Sequence, residues 1–161
     1  MGITPQTKIL LTGATGTMGR HLVPIFQSAA DCYCLGHTGE MACDAFFRED
    51  LAQKTETENL LQEIQPDIII HAAALTDVDL CERERGKAYL VNVETTRNLV
   101  KWIQGSASAA RLVYISTDQV YDGPGKHDES RAFPMNVYAL TKLWAEDLAQ
   151  QVPGALVLRT N

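Results

Sequence analysis

The sequence predicts an α/β fold of the Rossmann type, in which a doubly wound parallel sheet carries helices on both faces. Short apolar runs alternate with longer helical periods along the 161 residues, and several of these runs are apolar on both faces, as buried parallel strands are. A glycine-rich turn follows the first run. These observations place the first strand near the centre of the sheet and a ligand at the carboxyl ends of the strands.

The sequence marks the boundaries of most predicted elements. Gly13 ends the first strand, Pro66 closes the second helix and Gly105 ends the third. Pro24 lies inside the first helix, where it removes one backbone donor, and Pro153 follows the last helix. In chain order, strands are predicted over residues 8–12, 31–35, 67–71, 111–116 and 155–158, and helices over about 18–30, 55–65, 80–104 and 136–151.

Composition and charge exclude several classes of protein. Hydrophobic residues make up 45% of the chain and charged residues 21%, which excludes a disordered protein. Lys and Arg total 14 against 20 Asp and Glu, and the net charge of −6 disfavours binding to nucleic acid, which needs clustered cations. No apolar run is long enough to cross a bilayer, and the N-terminus lacks the apolar centre of a signal peptide. We therefore expect a cytoplasmic protein without a membrane or nucleic-acid partner.

The four cysteines show no metal-binding pattern. Cys32 and Cys34 flank a tyrosine in an apolar run, Cys43 and Cys81 are scattered, and there is no pair of Cys-x-x-Cys clusters. We expect reduced thiols that act as small hydrophobic side chains, rather than a metal site or a disulfide.

The turn after the first strand reads Thr-Gly-Ala-Thr-Gly-Thr-Met-Gly. Gly13 permits a tight turn, Gly16 lets the backbone approach a diphosphate, and Gly19 lets the helix pack against the sheet. The N-terminus of that helix offers N–H donors and a partial positive charge to the phosphates. No Gly-Lys-Ser/Thr follows, which disfavours a nucleotide-hydrolysing P-loop. A plain glycine-rich turn is the alternative interpretation.

Two further strand ends carry small or neutral residues. No acidic residue follows the second strand to hold an adenosine ribose, which favours NADP weakly over NAD, with His37 and Thr38 near the 2′-phosphate. No arginine stands there either. The third strand ends in an alanine run, on which a flat ligand would lie against the backbone, and tight packing between a helix and a strand is the alternative. The run consists of Ala72, Ala73 and Ala74.

Tyr138 and Lys142 lie four residues apart at the start of the last predicted helix, so their side chains share one face. We expect the ammonium group of Lys142 to lower the pKa of Tyr138 toward neutral pH and also to hold a ribose hydroxyl. Tyr138 would then donate a proton to a carbonyl oxygen as hydride arrives at the carbon. Thr117, at the carboxyl end of the fourth predicted strand, would bind that carbonyl. The alternatives are a surface Tyr–Lys pair and a hydroxyl satisfied within a turn.

Taken together, these motifs resemble the extended short-chain dehydrogenase/reductase family, and within it most of all the dTDP-4-dehydrorhamnose reductases. The resemblance covers essentially the whole chain. It depends on Thr-Gly-x-x-Gly-x-x-Gly after the first strand, Tyr-x-x-x-Lys in the last helix, and the runs at 65–69, 72–79, 116–123, 134–138 and 158–160. The run around Thr117 and the Asn-Val-Tyr approach to Tyr138 are the more specific of these.

The resemblance implies NAD(P)H-dependent reduction of a 4-keto sugar attached to a nucleotide, as in dTDP-rhamnose biosynthesis. It also allows a homodimer, and it gives Asn92 a mostly structural role. The implied catalytic residues are Thr117, Tyr138 and Lys142, and Thr117 and Asp118 would touch the sugar. The implied cofactor-binding residues are Gly13, Thr15, Gly16, Thr17, Met18, Gly19, His37, Asp50, Leu51, Ala72, Ala73, Ala74, Tyr138 and Lys142, with Asp50 and Leu51 beside the adenine.

Family members continue beyond the position of Asn161 with a smaller substrate domain. Residues 1–161 are therefore expected to form an NAD(P)-binding Rossmann domain from which the substrate domain is largely absent. Two alternatives to the reductase stay open. One is a non-catalytic NADP-binding regulatory subunit like the β subunit of methionine adenosyltransferase. The other is a sugar-nucleotide epimerase or dehydratase, although Gln119 after Asp118 argues mildly against a dehydratase, which usually has further acidic residues there.

Overall fold

A six-stranded parallel sheet forms the centre of the structure, with the strand order β3-β2-β1-β4-β5-β6. The computed structural model describes residues 2–43, 45–106 and 109–161. The strands are β1 Lys8–Thr12, β2 Asp31–Gly36, β3 Ala45–Arg48, β4 Ile68–His71, β5 Arg111–Thr117 and β6 Leu156–Thr160. The helices are α1 Thr17–Gln27, α2 Lys54–Ile64, α3 Val78–Arg83, α4 Arg85–Tyr89, α5 Thr95–Gly105 and α6 Val137–Ala149. The predicted Rossmann-type fold is confirmed, with β1 near the centre of the sheet.

Helices pack on both faces because alternate residues of each strand point to opposite sides. On one face, α2, α5 and α6 cover Leu10, Ile69 and Leu112, all of which are fully buried. On the other face, Val23 of α1 packs against Ile9 and its neighbours. Both faces of the central strands are therefore buried, and this explains why the sequences of these strands are continuous apolar runs.

β6 forms one edge of the sheet and, within the described residues, pairs with β5 alone. Its Val157 packs into the core on the side of α6. Leu156 and Leu158 point to the opposite face, where 51% and 39% of their surfaces are exposed. On that face α1 packs against β1 and β2, and the exposure of Leu156 and Leu158 shows that, within the described part of the chain, the same face is open near β6.

Two predicted elements differ in the structure. The strand β3 was not predicted, because its four residues lack a marked boundary and the chain there is partly polar. The single helix predicted over 80–104 is wrong: Glu84 leaves the helical conformation between α3 and α4, and Leu90–Glu94 form a π-helical segment before α5. The first helix also ends at Gln27, three residues earlier than predicted, with Pro24 retained inside it.

None of the helices in the described ranges is both long and apolar enough to span a membrane.

Candidate functional site

The glycine turn brings β1, α1 and the segment after β4 into backbone contact. Gly13 has φ +70°, and a Cβ there would meet the backbone N of Ala73 at 2.7 Å. A Cβ on Gly19 would meet the carbonyl oxygen of Gly13 at 2.2 Å. Side chains at these two positions would push the turn off the sheet, so the turn depends on glycine at both.

The N-terminus of α1 is open to a ligand. Gly16 caps the helix without a side-chain hydrogen bond, and the first turn contains no acidic residue. Gly16 and Thr17 are exposed, while Thr15 and Met18 are half-buried beside them. A Cβ on Gly16 would meet only the carbonyl oxygen of Gly13, at 3.2 Å, so the space above it is free. Uncapped N–H groups at a helix N-terminus fit a diphosphate.

The segment after β2 lies directly beside this turn. Gly36 is buried, and a Cβ there would meet the side chain of Thr15 at 2.8 Å. His37 and Thr38 follow and are exposed. Further along, the guanidinium group of Arg48 donates a hydrogen bond to the carbonyl of Gly39 at 2.9 Å. The two residues predicted near a 2′-phosphate therefore lie at the carboxyl edge of the sheet, next to the glycine turn.

The expectation of four free thiols is wrong for one pair, because Cys34 and Cys43 form a disulfide. The segment between them reverses direction after β2 and returns Cys43 to the end of that strand, which the spacing of nine residues did not reveal. Cys32 and Cys81 are free and buried. The disulfide closes the loop that carries His37.

Asp50 and Leu51 follow β3 at the same edge of the sheet. Leu51 is 4% exposed and belongs to the core beneath α2 and α5. Its carbonyl accepts hydrogen bonds from Thr57 Oγ1 at 3.0 Å and Asn98 Nδ2 at 2.8 Å. Asp50 is half-buried, and its carboxylate accepts a hydrogen bond from the backbone N–H of Ala52. Leu51 thus supports the edge of the site from below.

The alanine run 72–74 is half-buried and is tied to β1 through a buried histidine. The hydroxyl groups of Thr95 and Thr96 donate to the carbonyls of Val91 and Asn92, so each can accept a hydrogen bond from His71 Nε2. His71 Nδ1 then accepts from the hydroxyl of Thr12, at 2.7 Å. In turn, Thr12 Oγ1 accepts the backbone N–H of Ala73 at 3.2 Å.

These contacts keep His71 neutral. Complete burial, together with the positive charge of Lys142, lowers its pKa from 6.5 to about 3. The imidazole therefore links β1 and the alanine run to the helical segment 90–105 as an uncharged donor and acceptor. Sequence reasoning missed this role, because a histidine in an apolar strand is most often a packed side chain.

Tyr138, Thr117 and Lys142 come together at the carboxyl end of β5. Asn136 caps α6 by accepting a hydrogen bond from the N–H of Ala139, which places Tyr138 in the first turn. The side chain of Thr117 lies close enough to the Tyr138 hydroxyl to influence its pKa. Lys142 Nζ donates to the carbonyl of Ile115 at 2.7 Å and lies 4.2 Å from the centre of a tyrosine ring of β5. All three side chains are less than a tenth exposed.

The electrostatics of this group differ from the expectation. Burial raises the pKa of Tyr138, and the side chain of Thr117 opposes that effect. Burial also lowers the pKa of Lys142 from 10.5 to about 7. The prediction that Lys142 brings the pKa of Tyr138 down is therefore wrong for the free protein, because burial of the phenol is the largest influence on that pKa and raises it. Tyr138 carries its proton at neutral pH.

Asn92 holds the loop after β4 against α6. Its side-chain oxygen accepts the N–H of Leu75 at 2.7 Å, and its Nδ2 donates to the carbonyl of Leu75 and to Thr141 Oγ1. It lies in the π-helical segment, whose wider turn presents the side chain toward α6. These contacts agree with the structural role given to Asn92.

Asp118 opens a cleft next to Thr117. It is exposed at the start of a short 3-10 turn, and its carboxylate lies 3.5 Å from Thr117 Oγ1. The cleft beside it, between α6 and the ends of β5 and β6, has a volume of about 530 Å³. Glu146 and Arg159 form its wall as an ion pair with an N–O distance of 2.7 Å, in which Glu146 is buried and Arg159 is half-buried. Neither residue had a predicted role in the site: Arg159 stood only within the run 158–160, and Glu146 was not singled out although it follows Lys142 by one helical turn.

Comparison with known proteins gives related proteins over nearly the whole chain. Methionine adenosyltransferase 2 subunit beta of Danio rerio is 35% identical over 159 residues, which cover 97% of this chain and 48% of that protein. The dTDP-4-dehydrorhamnose reductase of Aggregatibacter actinomycetemcomitans is 33% identical over 160 residues, 97% of this chain and 51% of that protein. The chain spans about half the length of these relatives.

Solved structures agree with the sequence relatives. The crystal structure of dTDP-4-dehydrorhamnose reductase from Bacillus anthracis str. Ames in complex with NADP superposes with a TM-score of 0.81 at 31% identity, covering 96% of this chain and 53% of that chain. The family model described as the RmlD substrate binding domain matches residues 7–161. The resemblance to extended short-chain dehydrogenases/reductases of the dTDP-4-dehydrorhamnose reductase type is thereby confirmed, and the chain belongs to the RmlD substrate binding domain family.

Proposed function

We propose that the protein reduces the 4-keto group of a nucleotide-linked sugar with NAD(P)H, and that Tyr138 donates the proton. One observation carries the proposal: the buried side chains of Tyr138, Thr117 and Lys142 come together at the sheet edge that also presents the open N-terminus of α1. A Tyr–Lys pair with a neighbouring hydroxyl is suited to acid catalysis at a carbonyl.

The residues around the glycine turn fit a dinucleotide. The uncapped N–H groups of Thr17 and Met18 would hold the diphosphate, and the free space above Gly16 would admit it. The alanine run 72–74 would lie under the nicotinamide half, and Lys142 would bind its ribose hydroxyls. The absence of a carboxylate after β2 favours NADP, with exposed His37 near the 2′-phosphate.

The chain's own groups handle the proton. Tyr138 enters the reaction protonated, because burial raises its pKa, and its Oη would donate to the carbonyl oxygen of the sugar. Thr117 would hold the same oxygen in place, and the exposed carboxylate of Asp118 would accept a sugar hydroxyl. When bound, the reduced nicotinamide supplies the hydride. The charge of Lys142 stabilises the phenolate left on Tyr138 after the transfer.

Binding and turnover test the proposal separately. We expect NADPH to raise the melting temperature of the protein, and the protein to consume NADPH when given dTDP-4-dehydrorhamnose, as followed by loss of dihydronicotinamide absorbance. Tyr138→Phe should abolish turnover, since no proton donor remains, and should leave NADPH affinity within about twofold. Unchanged turnover in that variant would exclude Tyr138 as the donor. A product of epimerisation or elimination, formed without consumption of NADPH, would favour the epimerase or dehydratase.

A second candidate is an NADP-binding regulatory subunit. It is favoured by the 35% identity to methionine adenosyltransferase 2 subunit beta. In that case the protein would bind a methionine adenosyltransferase rather than reduce a sugar. Co-purification with such an enzyme, together with NADPH binding and no consumption of NADPH with any 4-keto sugar nucleotide, would support this function. Turnover without complex formation would eliminate it.

A further inference from the structure

Glu146 is a buried carboxylate that the proposed mechanism does not use. It lies on α6, one turn beyond Lys142, and is 1% exposed. Ser116 Oγ donates a hydrogen bond to its Oε1. Arg159 donates from Nε to Oε1 at 3.0 Å and from Nη2 to Oε2 at 2.7 Å. Both oxygens are thus occupied by partners from two different strands.

These partners connect Glu146 to the parts that form the site. Ser116 directly precedes Thr117 in β5, so its bond to the carboxylate fixes the strand end that carries the Thr117 hydroxyl. Arg159 of β6 also donates to Tyr121 Oη at 2.8 Å and to the carbonyl of Glu129 at 2.9 Å. One carboxylate therefore joins α6, the ends of β5 and β6, and the loop after Thr117.

Glu146 also supplies negative charge close to Lys142. The groups that interact with the Lys142 ammonium are the carbonyl of Ile115 and the ring of Tyr114 on β5, the imidazole of His71 on β4, and Glu146 on α6. The imidazole is neutral, and the phenol of Tyr114 is protonated because burial raises its pKa. Burial lowers the pKa of Lys142 to about 7, and the charge of Glu146 raises it against that effect.

We propose that Glu146 is a positioning residue for the reduction: it anchors the strand end that carries Thr117, and it keeps Lys142 in the ammonium form that binds the cofactor ribose. The inference depends on the proposed function, because it assigns Lys142 to the ribose.

The pH dependence of NADPH affinity tests this inference. With a Lys142 pKa of about 7, wild-type affinity should fall about tenfold between about pH 6 and pH 8. Glu146→Gln removes the charge but keeps a side chain of the same size. The affinity of this variant for NADPH should begin to fall at lower pH than that of the wild type. Between about pH 6 and pH 8 the variant should lose at least about threefold more affinity than the wild type does. The measurement is NADPH fluorescence during titration with the protein.

Two further variants separate charge from structure. Ser116→Ala removes the bond at the strand end and keeps the carboxylate, so it should lower stability without moving the pH at which affinity falls. Glu146→Asp keeps the charge and should restore most of the wild-type pH dependence. The inference is overturned if Glu146→Gln has the wild-type pH dependence, or if Ser116→Ala shifts it equally.

A cofactor-free measurement distinguishes this inference from the proposed function. Because the folded-state pKa of Lys142 lies below its unfolded value of 10.5, the stability cost of Lys142 grows as pH falls from 10.5 and becomes constant below about 7. Urea unfolding of the protein and of Lys142→Met across this range should show that the difference in unfolding free energy between them stops changing below about pH 7. In the Glu146→Gln background the pH at which the difference becomes constant should be lower, and an unchanged pH would refute the effect of Glu146 on Lys142. Failure of the wild-type protein to bind NADPH at any pH would instead refute the proposed function.

Discussion

His71 gives the fold a pH dependence that can be measured. In the unfolded chain the imidazole titrates near 6.5, whereas in the folded protein its pKa is about 3. Between these values the unfolded state binds a proton that the folded state does not. The contribution of His71 to stability is therefore fully present above about pH 6.5 and is lost as pH falls toward 3.

The size of the effect follows from the pKa difference. One pH unit corresponds to about 1.4 kcal/mol, and the unfolded imidazole is only half protonated at pH 6.5, so His71 alone should remove about 2 kcal/mol of unfolding free energy between about pH 6.5 and 4.5. His71→Asn eliminates the titration while its amide oxygen still accepts the hydroxyl of Thr12. The variant loses the bond to Thr96, so it should be about 1 to 2 kcal/mol less stable at neutral pH.

Urea unfolding of both proteins at several pH values gives the comparison. We expect the difference in unfolding free energy between wild type and His71→Asn to shrink as the pH falls below 6.5, because the carboxylates titrate equally in both. His21→Asn, on the exposed face of α1, is the matched control and should follow the wild-type slope. Parallel slopes for wild type and His71→Asn would show that the imidazole is protonated in the folded protein.

Three other substitutions test separate parts of the structure. Gly16→Ala should weaken NADPH binding by at least about tenfold, because its methyl group enters the space assigned to the diphosphate, and it should lower the melting temperature slightly, because the same methyl group lies 3.2 Å from the carbonyl oxygen of Gly13; titration and calorimetry measure the two effects. Replacing Cys34 and Cys43 by alanine should cost about 2 to 3 kcal/mol of unfolding free energy, the value expected for a loop of this length, and should abolish the effect of a dithiol reductant on thermal stability. Arg159→Met should cost about 3 kcal/mol or more in urea unfolding, because it leaves the buried charge of Glu146 without its cation; a loss below about 1 kcal/mol would contradict a stabilising ion pair at Glu146.

The sequence predicted those parts of the fold that local patterns determine. The apolar runs of β1 and β4 and the glycine turn after Gly13 carry their signal within a few residues. β3 was missed because four residues next to a chain reversal carry little periodicity. The break at Glu84 was missed because the sequence there remains a good helix former, and tertiary contacts override that preference.

In the site, too, the sequence predicted only the features that local spacing determines. Tyr138 and Lys142 could be predicted as a pair, since a helix brings residues four apart to one face. Their pKa values could not, because desolvation depends on how completely α6 is covered. Glu146 and Arg159 are 13 positions apart in the chain, and only the pairing of β6 with β5 brings them together. The disulfide of Cys34 likewise depends on a chain reversal that spacing does not reveal.

The open edge at β6 has a consequence for the behaviour of this chain in solution. Among the described residues β6 pairs with β5 alone, so its outer edge, next to exposed Leu156 and Leu158, forms a template on which a second molecule can extend the sheet. Concentrated samples of the 161-residue chain should therefore aggregate through strand addition, and light scattering should rise with protein concentration. Leu156→Lys should reduce this aggregation, because each added strand would then bury a charge.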